Sequence, residues 1–148
     1  MTDPPEDKSR LVARLAADYL LRSLTMIGEL SHGELLTGLV NLALVQANVA
    51  HLDRVSSGFD AIDKPPPDEV RRPVSVLSLS ASLGLPYETT RRHVARMLAT
   101  GQCVRVKGGI VVPTAIVEDA RRSKMLEANL VNLRRLVRAL RSAGVDMD

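Results

Sequence analysis

The chain is poor in cysteine and in aromatic residues. Its 148 residues include one cysteine, one phenylalanine, two tyrosines and no tryptophan. A single cysteine excludes an internal disulfide and favours a reducing compartment. Because aromatic side chains make up only 2% of the chain, the 45% that is hydrophobic must form a core of leucine, valine and alanine, which favours helix-on-helix packing.

The sequence also lacks an evident targeting segment. The N-terminal residues MTDPPEDKSR are acidic and proline-containing, whereas a secretion signal has a basic start and an apolar stretch. The longest apolar run, 35–52, argues against a membrane span because five polar side chains interrupt it. These are Thr37, Asn41, Gln46, Asn48 and His51. We therefore expect a cytoplasmic protein with no membrane partner.

Known arrangements of catalytic or metal-binding residues are missing from the sequence. The three histidines, His32, His51 and His93, lie far apart, and none has the spacing of a zinc site. There is no Ser-His-Asp order, no glycine-rich phosphate loop and no paired-carboxylate motif. We expect neither a metal, nor a cofactor, nor enzymatic activity.

Positive charge is present and is concentrated in one segment. The net charge is only +3, but residues 71–112 carry seven basic side chains and one acidic one. Residues 1–70 carry six basic and eleven acidic side chains. A clustered excess of basic residues is the electrostatic pattern expected of a protein that binds a polyanion.

The basic segment begins with the pattern of a short helix and a tight turn. Leu79 and Leu83 are four residues apart and share one helix face. Ser75 or Ser78 can cap the start of that helix, and Gly84 permits the left-handed conformation that ends it. The sequence thus predicts a helix that stops at Gly84 and a turn that leads into a second helix.

The second helix, predicted over residues 86–100, has one apolar side and several arginines. Its buried stripe is predicted to be Thr90, Val94, Met97 and Leu98. The other faces carry Glu88, Arg91, Arg92, Ala95 and Arg96. Three arginines near solvent on a helix after a tight turn are suited to a phosphate backbone.

Two short apolar runs follow that helix. Residues 103–106 and 110–112 read as strands around Lys107, Gly108 and Gly109, and paired glycines favour the tight turn of a hairpin. Cys103 is interpreted as a small apolar filler. The order of helix, turn, arginine-bearing helix and β-hairpin is that of a winged helix.

Residues 73–113 resemble the winged helix-turn-helix domain of bacterial transcription regulators, broadly of the GntR and IclR type. The resemblance lies in LSLSASLGLPYETTRRHVARML and VRVKGGIVV, with Thr90 where the family usually has valine or isoleucine. It implies that the helix over 86–100 enters the major groove and that the wing, 103–112, touches the DNA backbone. By the same resemblance the groove is faced by Tyr87, Arg91 and Arg92, and the wing presents Arg105 and Lys107.

The N-terminal part of the chain reads as helical. After a disordered tail over 1–6, residues 7–55 predict a helical hairpin whose second helix starts with a capping box of Ser31 and Glu34. That second helix is apolar nearly all round, so most of its circumference must be covered. A second copy of the chain, the C-terminal helix, or both can cover it, and homodimerisation is the preferred interpretation.

Residues 56–72 read as a linker, because three successive prolines, Pro65 to Pro67, favour extended backbone. Arg71 and Arg72 end it beside the winged helix. They are either a short arm that reaches DNA or a solvated pair of charges.

A last helix is predicted over 114–143, capped by Thr114 and involved in dimerisation or packing. An apolar heptad runs along it, which indicates either a coiled-coil seam or packing onto the N-terminal helices. The heptad consists of Leu126, Leu130, Leu133, Val137 and Leu140.

Together these patterns predict a mainly α protein with an N-terminal helical hairpin, a winged helix-turn-helix with a β-hairpin wing, and a long C-terminal helix. The expected function is that of a homodimeric transcription regulator bound to double-stranded DNA, with no small-molecule effector identified. The expected DNA-binding residues are Tyr87, Arg91, Arg92, Arg96, Arg105, Lys107, Arg71 and Arg72. The alternatives are a winged-helix protein-interaction module and a regulator that senses an apolar ligand in its helical domain.

Overall fold

The structure, a computed structural model, describes residues 4–52 and 58–148. The described ranges form six helices and one two-stranded antiparallel sheet. The elements are α1 (Ser9–Leu30), α2 (Leu35–Val49), α3 (Val76–Leu83), α4 (Tyr87–Ala99), β1 (Val104–Val106), β2 (Gly109–Val111), α5 (Thr114–Val117) and α6 (Ala120–Ser142). The predicted mainly helical class with a small hairpin is confirmed.

The turn between α3 and α4 forms as the local sequence predicts. The Ser75 hydroxyl accepts a hydrogen bond from the Ser78 backbone N–H at 3.1 Å and so caps α3. Gly84 has a φ of 64°, and the Leu85 N–H donates to the Ser80 carbonyl at 3.1 Å. This closes the C-terminus of α3 and starts α4 three residues later.

The hairpin is held against the segment that precedes α3. Strands β1 and β2 pair antiparallel with Val104 opposite Val111. Beside them Val74 and Ile110 exchange two backbone hydrogen bonds, of 3.1 and 2.9 Å. Gly109 lies so close to this bridge that an added Cβ would be 2.4 Å from the Val74 carbonyl oxygen, and its φ is 146°. Only glycine fits there without a backbone shift.

An apolar core of described residues joins α2, α3, α4 and the hairpin. Its fully buried members include Val40 and Leu44 of α2 and Val94 and Met97 of α4. Cys103 belongs to the same cluster, and burial raises the pKa of its thiol to about 11. The thiol is therefore protonated at neutral pH, in keeping with the interpretation of Cys103 as an apolar filler.

Helix α2 is the central helix of this arrangement. The stretch Leu35–Leu52 is long and apolar enough, with a mean hydropathy of 1.4, to cross a membrane, a test that core helices of soluble proteins also pass. In this structure α1, α3, α4 and β2 all pack on α2. Two asparagines of α2, Asn41 and Asn48, are buried and hydrogen-bonded to other elements.

Helices α1 and α6 run antiparallel along each other. The Lys8 ammonium donates to the Ala143 carbonyl at 2.7 Å at one end. Nearer the other end the Ser23 hydroxyl donates to the Asn129 side chain at 2.7 Å, and the Asn132 amide donates to the Tyr19 carbonyl at 3.1 Å. The face of α6 that meets α1 therefore includes Asn129 and Asn132, and four of the five heptad residues, all but Leu140, remain exposed.

Two predicted caps are wrong. Ser31 does not cap α2, since the helix begins at Leu35 and the Glu34 carboxylate instead accepts from the Thr37 hydroxyl at 3.0 Å. Thr114 does not cap the last helix, because its hydroxyl donates to the Pro66 carbonyl at 2.9 Å. The helix predicted over 114–143 is split into α5 and α6.

The split follows from a cap inside the predicted helix. The Asp119 backbone is extended, and its carboxylate accepts from the Arg121 N–H at 2.8 Å, which starts α6. After α2 the chain makes a single 3-10 turn over Ala50–Leu52. The predicted end of the second helix at residue 55, the start of the linker at 56 and the first three tail residues lie outside the described residues.

Candidate nucleic-acid interface

Helix α4 turns its arginines to solvent. Thr90, Val94 and Met97 are buried, as the sequence predicts. At 100° per residue, Arg92 lies almost opposite this buried stripe, and Arg91 and Arg96 lie on its two flanks. All three arginines are exposed.

Arg91 is held by a carboxylate of its own helix. Its Nη2 and Nε atoms donate to the two Glu88 oxygens at 2.6 and 2.9 Å, a bidentate pair three residues apart. The hydrogen bonds from Arg91 lower the pKa of the Glu88 carboxyl, and the same contact raises the pKa of Arg91. Glu88 thus compensates the charge of Arg91, and a phosphate can bind Arg91 only by displacing the Glu88 carboxylate.

Arg96 and His93 connect the other flank of α4 to the α1–α2 region. Arg96 Nη1 lies 3.3 Å from a Glu34 carboxylate oxygen, and the His93 ring Nδ1 is 2.9 Å from the Thr37 hydroxyl. Burial, followed by the nearby Arg96 charge, lowers the pKa of His93. Both side chains therefore connect α4 to the start of α2. The acidic partner of Arg96, Glu34, lies 62 residues away in sequence.

Of the residues on α4 that were predicted to bind DNA, Arg92 and Tyr87 have exposed side chains that form no ion pair with a described residue. Arg92 has neither a hydrogen bond nor an ion pair with any other residue in the described ranges. Tyr87 occupies the first turn of α4 and is 48% exposed. Among the arginines of α4, Arg92 is consequently the one that can bind an external anion without first breaking an ion pair to a described residue.

The hairpin supplies two more exposed cations. Arg105 lies in β1 and Lys107 in the turn that joins β1 to β2. Both are exposed, and neither has an ion pair within residues 4–52 and 58–148. The hairpin follows α4 directly, so its charges continue the basic segment.

Arg71 and Arg72 differ, and the prediction that Arg71 belongs to a DNA arm is wrong. Arg71 is 6% exposed, and its Nε donates to the Thr114 hydroxyl at 3.1 Å. Its two terminal nitrogens are buried without a hydrogen-bond partner in the described part of the chain. Burial lowers the pKa of Arg71, with Asp68 opposing. The side chain points inward because the segment before it is pinned to Thr114.

Arg72 keeps an exposed side chain on a fixed backbone. Its N–H donates to the Asn48 carbonyl at 2.9 Å, and its own carbonyl accepts from the Asn48 side chain at 2.7 Å. This fixes the Arg72 backbone beside Asn48, whose side chain also binds the backbone of Ile110 and Val112. Of the two predicted arm residues, Arg72 alone faces solvent.

Asn48 is the positioning residue that sequence reasoning missed. Its side-chain amide donates to the carbonyls of Arg72 and Ile110, at 2.7 and 3.0 Å. Its side-chain oxygen accepts from the Val112 N–H at 3.0 Å. One buried amide therefore fixes both the arm residue and the hairpin to α2. The sequence feature that could have indicated this role is an asparagine within an otherwise apolar helix.

The described residues contain no group of three or more histidine, cysteine, aspartate or glutamate side chains that could hold a metal ion. Comparisons of the chain with protein-family models, with curated proteins and with solved structures found no match. We therefore infer a function from the geometry and charge of α4, the hairpin and Arg72.

Proposed function

We propose that the protein is a winged-helix transcription regulator that binds double-stranded DNA as a homodimer in the cytoplasm. The single observation that carries this proposal is Arg92, which stands opposite the buried stripe of α4 and has no partner among the described residues. It lies in the segment with seven basic side chains and one acidic one. An unpaired guanidinium on an exposed helix suits a phosphate or the edge of a guanine.

In the proposed complex α4 enters the major groove and the hairpin contacts the backbone. Arg92 and Tyr87 then read base edges, while Arg72, Arg105 and Lys107 contact phosphates. Arg91 exchanges Glu88 for a phosphate, so its contribution is reduced by the loss of that ion pair. Arg96 stays with Glu34 and orients the helix.

Salt dependence tests whether these cations meet phosphates. The proposed interface contains four exposed cations that make no ion pair with a described residue, namely Arg72, Arg92, Arg105 and Lys107. They predict a slope of log affinity against log salt of about −3 to −4 per subunit. The affinity of the full chain is measured on a duplex selected from a random pool. A slope near zero, or no enrichment from the pool, contradicts DNA binding and favours the protein-interaction module with an acidic partner.

A second candidate function, sensing of a small ligand, is favoured by a cleft beside Arg122. The cleft has a volume of about 550 Å³ and lies between α2, the segment before α3 and α6. Arg122 lines it, donates from Nη2 to the Asn41 side-chain oxygen, and has no ion pair within the described ranges. Its other walls carry two polar side chains, Gln46 and Asp60, and are otherwise largely apolar: Leu42, Val45, Val49, Ile62, Val117 and Met125.

A largely apolar cleft with a guanidinium, Arg122, suits an aliphatic carboxylate whose head group binds Arg122 and stays away from Asp60, and decanoate is a probe of that class. We expect decanoate to cause saturable NMR shifts at Val45, Val49 and Met125. Arg122→Gln should weaken decanoate about 10-fold or more, because a charge-assisted hydrogen bond is lost. Decanol serves as the control ligand, and its binding should not change. Absence of saturable shifts contradicts this candidate.

A further inference from the structure

Four of the five heptad residues of α6 are left open by the fold, whereas the fifth, Leu140, is half-buried. Leu126, Leu130, Leu133 and Val137 are each between 38% and 41% exposed. Helix α1 instead packs on the side of α6 that carries Asn129 and Asn132. On a helical wheel the two faces are roughly 100° apart. The periodic apolar face is therefore separate from the face that the chain already buries.

We propose that this seam, defined as Leu126, Leu130, Leu133 and Val137, packs against the same seam of a second copy in antiparallel orientation. A 4-3-4 spacing of apolar residues is the pattern that a neighbouring helix fills by knobs-into-holes packing. A two-fold dimer joins identical surfaces, so a second copy supplies the matching row. With α1 packed on each α6, the dimer brings four helices together as a bundle.

Charge at the border of the seam selects the orientation. Glu127 and Arg134 follow Leu126 and Leu133 directly, so they occupy equivalent heptad positions on one border. Both are exposed, and neither has an ion pair with another described residue. They carry opposite charges one heptad apart. Residues at these positions face each other when two such helices run antiparallel.

One antiparallel register satisfies packing and charge together. Leu130 lies against Leu133 of the second copy, and Leu126 lies against Val137 of the second copy. Glu127 then meets Arg134 of the second copy, and symmetry forms this pair twice. In a parallel arrangement Arg134 meets Asn129 of the second copy, which offers no opposite charge. Glu127 then meets Arg122 of the second copy, whose guanidinium is half-buried and already donates to Asn41 of its own chain. The proposal makes the homodimer of the proposed function specific, and it does not require DNA.

Disulfide trapping of the full chain tests the orientation. Leu126→Cys combined with Val137→Cys should oxidise to a covalent dimer. Leu126→Cys alone should not, since the two copies of residue 126 are about 16 Å apart along the axis in the antiparallel register. The native chain is the background control, because its only cysteine is buried. Efficient cross-linking of Leu126→Cys alone would overturn the antiparallel seam.

Sedimentation equilibrium without DNA tests the surface itself. Leu133→Glu should weaken dimerisation at least about 30-fold, as expected for a central apolar contact. Val131→Glu is the matched control, since Val131 is 55% exposed on the same helix but off the seam, and it should leave the dimer intact. Equal effects of the two variants, or a monomeric native chain, overturn the proposal while leaving DNA binding to be judged separately.

A charge exchange gives an independent check. Glu127→Arg and Arg134→Glu should each weaken the dimer about fivefold, because each brings like charges together at two symmetric places. The double variant should restore native affinity. Failure of the double variant to recover, in a chain that keeps native helicity, contradicts the register.

Discussion

Asn48→Leu is expected to lower the free energy of unfolding by about 3–4 kcal/mol. The Val112 N–H loses its side-chain acceptor in a position that is fully buried, and the Arg72 carbonyl loses its bond to the same amide. The Ile110 carbonyl loses one of two bonds, since it also accepts from the Val74 N–H. Urea unfolding followed by circular dichroism measures the change.

The matched control for this substitution is Gln46→Leu on the same helix. Gln46 is an exposed amide with no hydrogen bond to another described residue, so its replacement should change stability by no more than about 0.5 kcal/mol. If Asn48→Leu is as mild as Gln46→Leu, the amide does not hold the hairpin. A loss of stability larger than the control also predicts weaker duplex binding, because the hairpin and Arg72 lose their support.

Arg92→Ala is expected to weaken duplex binding by about 5-fold to 150-fold, the effect of losing one bidentate or phosphate contact of about 1–3 kcal/mol. Arg91→Ala should cost less, because Arg91 gives up its bond to Glu88 before it can bind DNA. Glu88→Gln should raise affinity by freeing Arg91. Fluorescence anisotropy at one fixed salt concentration ranks the three variants, with thermal unfolding to show that each is folded.

Arg10→Ala is the matched control for Arg92→Ala. Arg10 is exposed on α1 and has no ion pair with a described residue, so its loss removes the same charge at a place remote from α4. It should alter affinity less than about twofold, as for weak long-range electrostatics in salt. Equal losses for Arg10→Ala and Arg92→Ala would mean that net charge alone drives binding, and the assignment of α4 as the contact surface would be wrong.

The parts of the fold that depend on neighbours in sequence could be predicted. The Ser75 cap, the left-handed Gly84 and the buried stripe through Thr90, Val94 and Met97 each involve residues within a few positions of one another. Caps, turns and helix periodicity are local properties, and a single sequence contains them. The Glu88–Arg91 pair belongs to the same class and was available from its spacing of three.

The contacts that the sequence did not disclose join distant segments. Asn48 meets Val112 and Arg96 meets Glu34, each across more than 60 residues. The inward orientation of Arg71 depends on Thr114, 43 residues later. Spacing rules hold within one helix or hairpin and carry no information on which elements become neighbours. Which arginines are buried, which are paired and which are exposed could therefore be learned only from the tertiary structure.

The shared core has a consequence for dissecting the chain into fragments. Leu79, Val94 and Met97 are covered in part by Val40 and Leu44, which belong to α2. A fragment limited to residues 73–113 would expose those side chains to solvent and would leave the Val112 N–H without its acceptor, the Asn48 side chain. The smallest fragment that folds on its own must therefore include α2 and begin well before the basic segment.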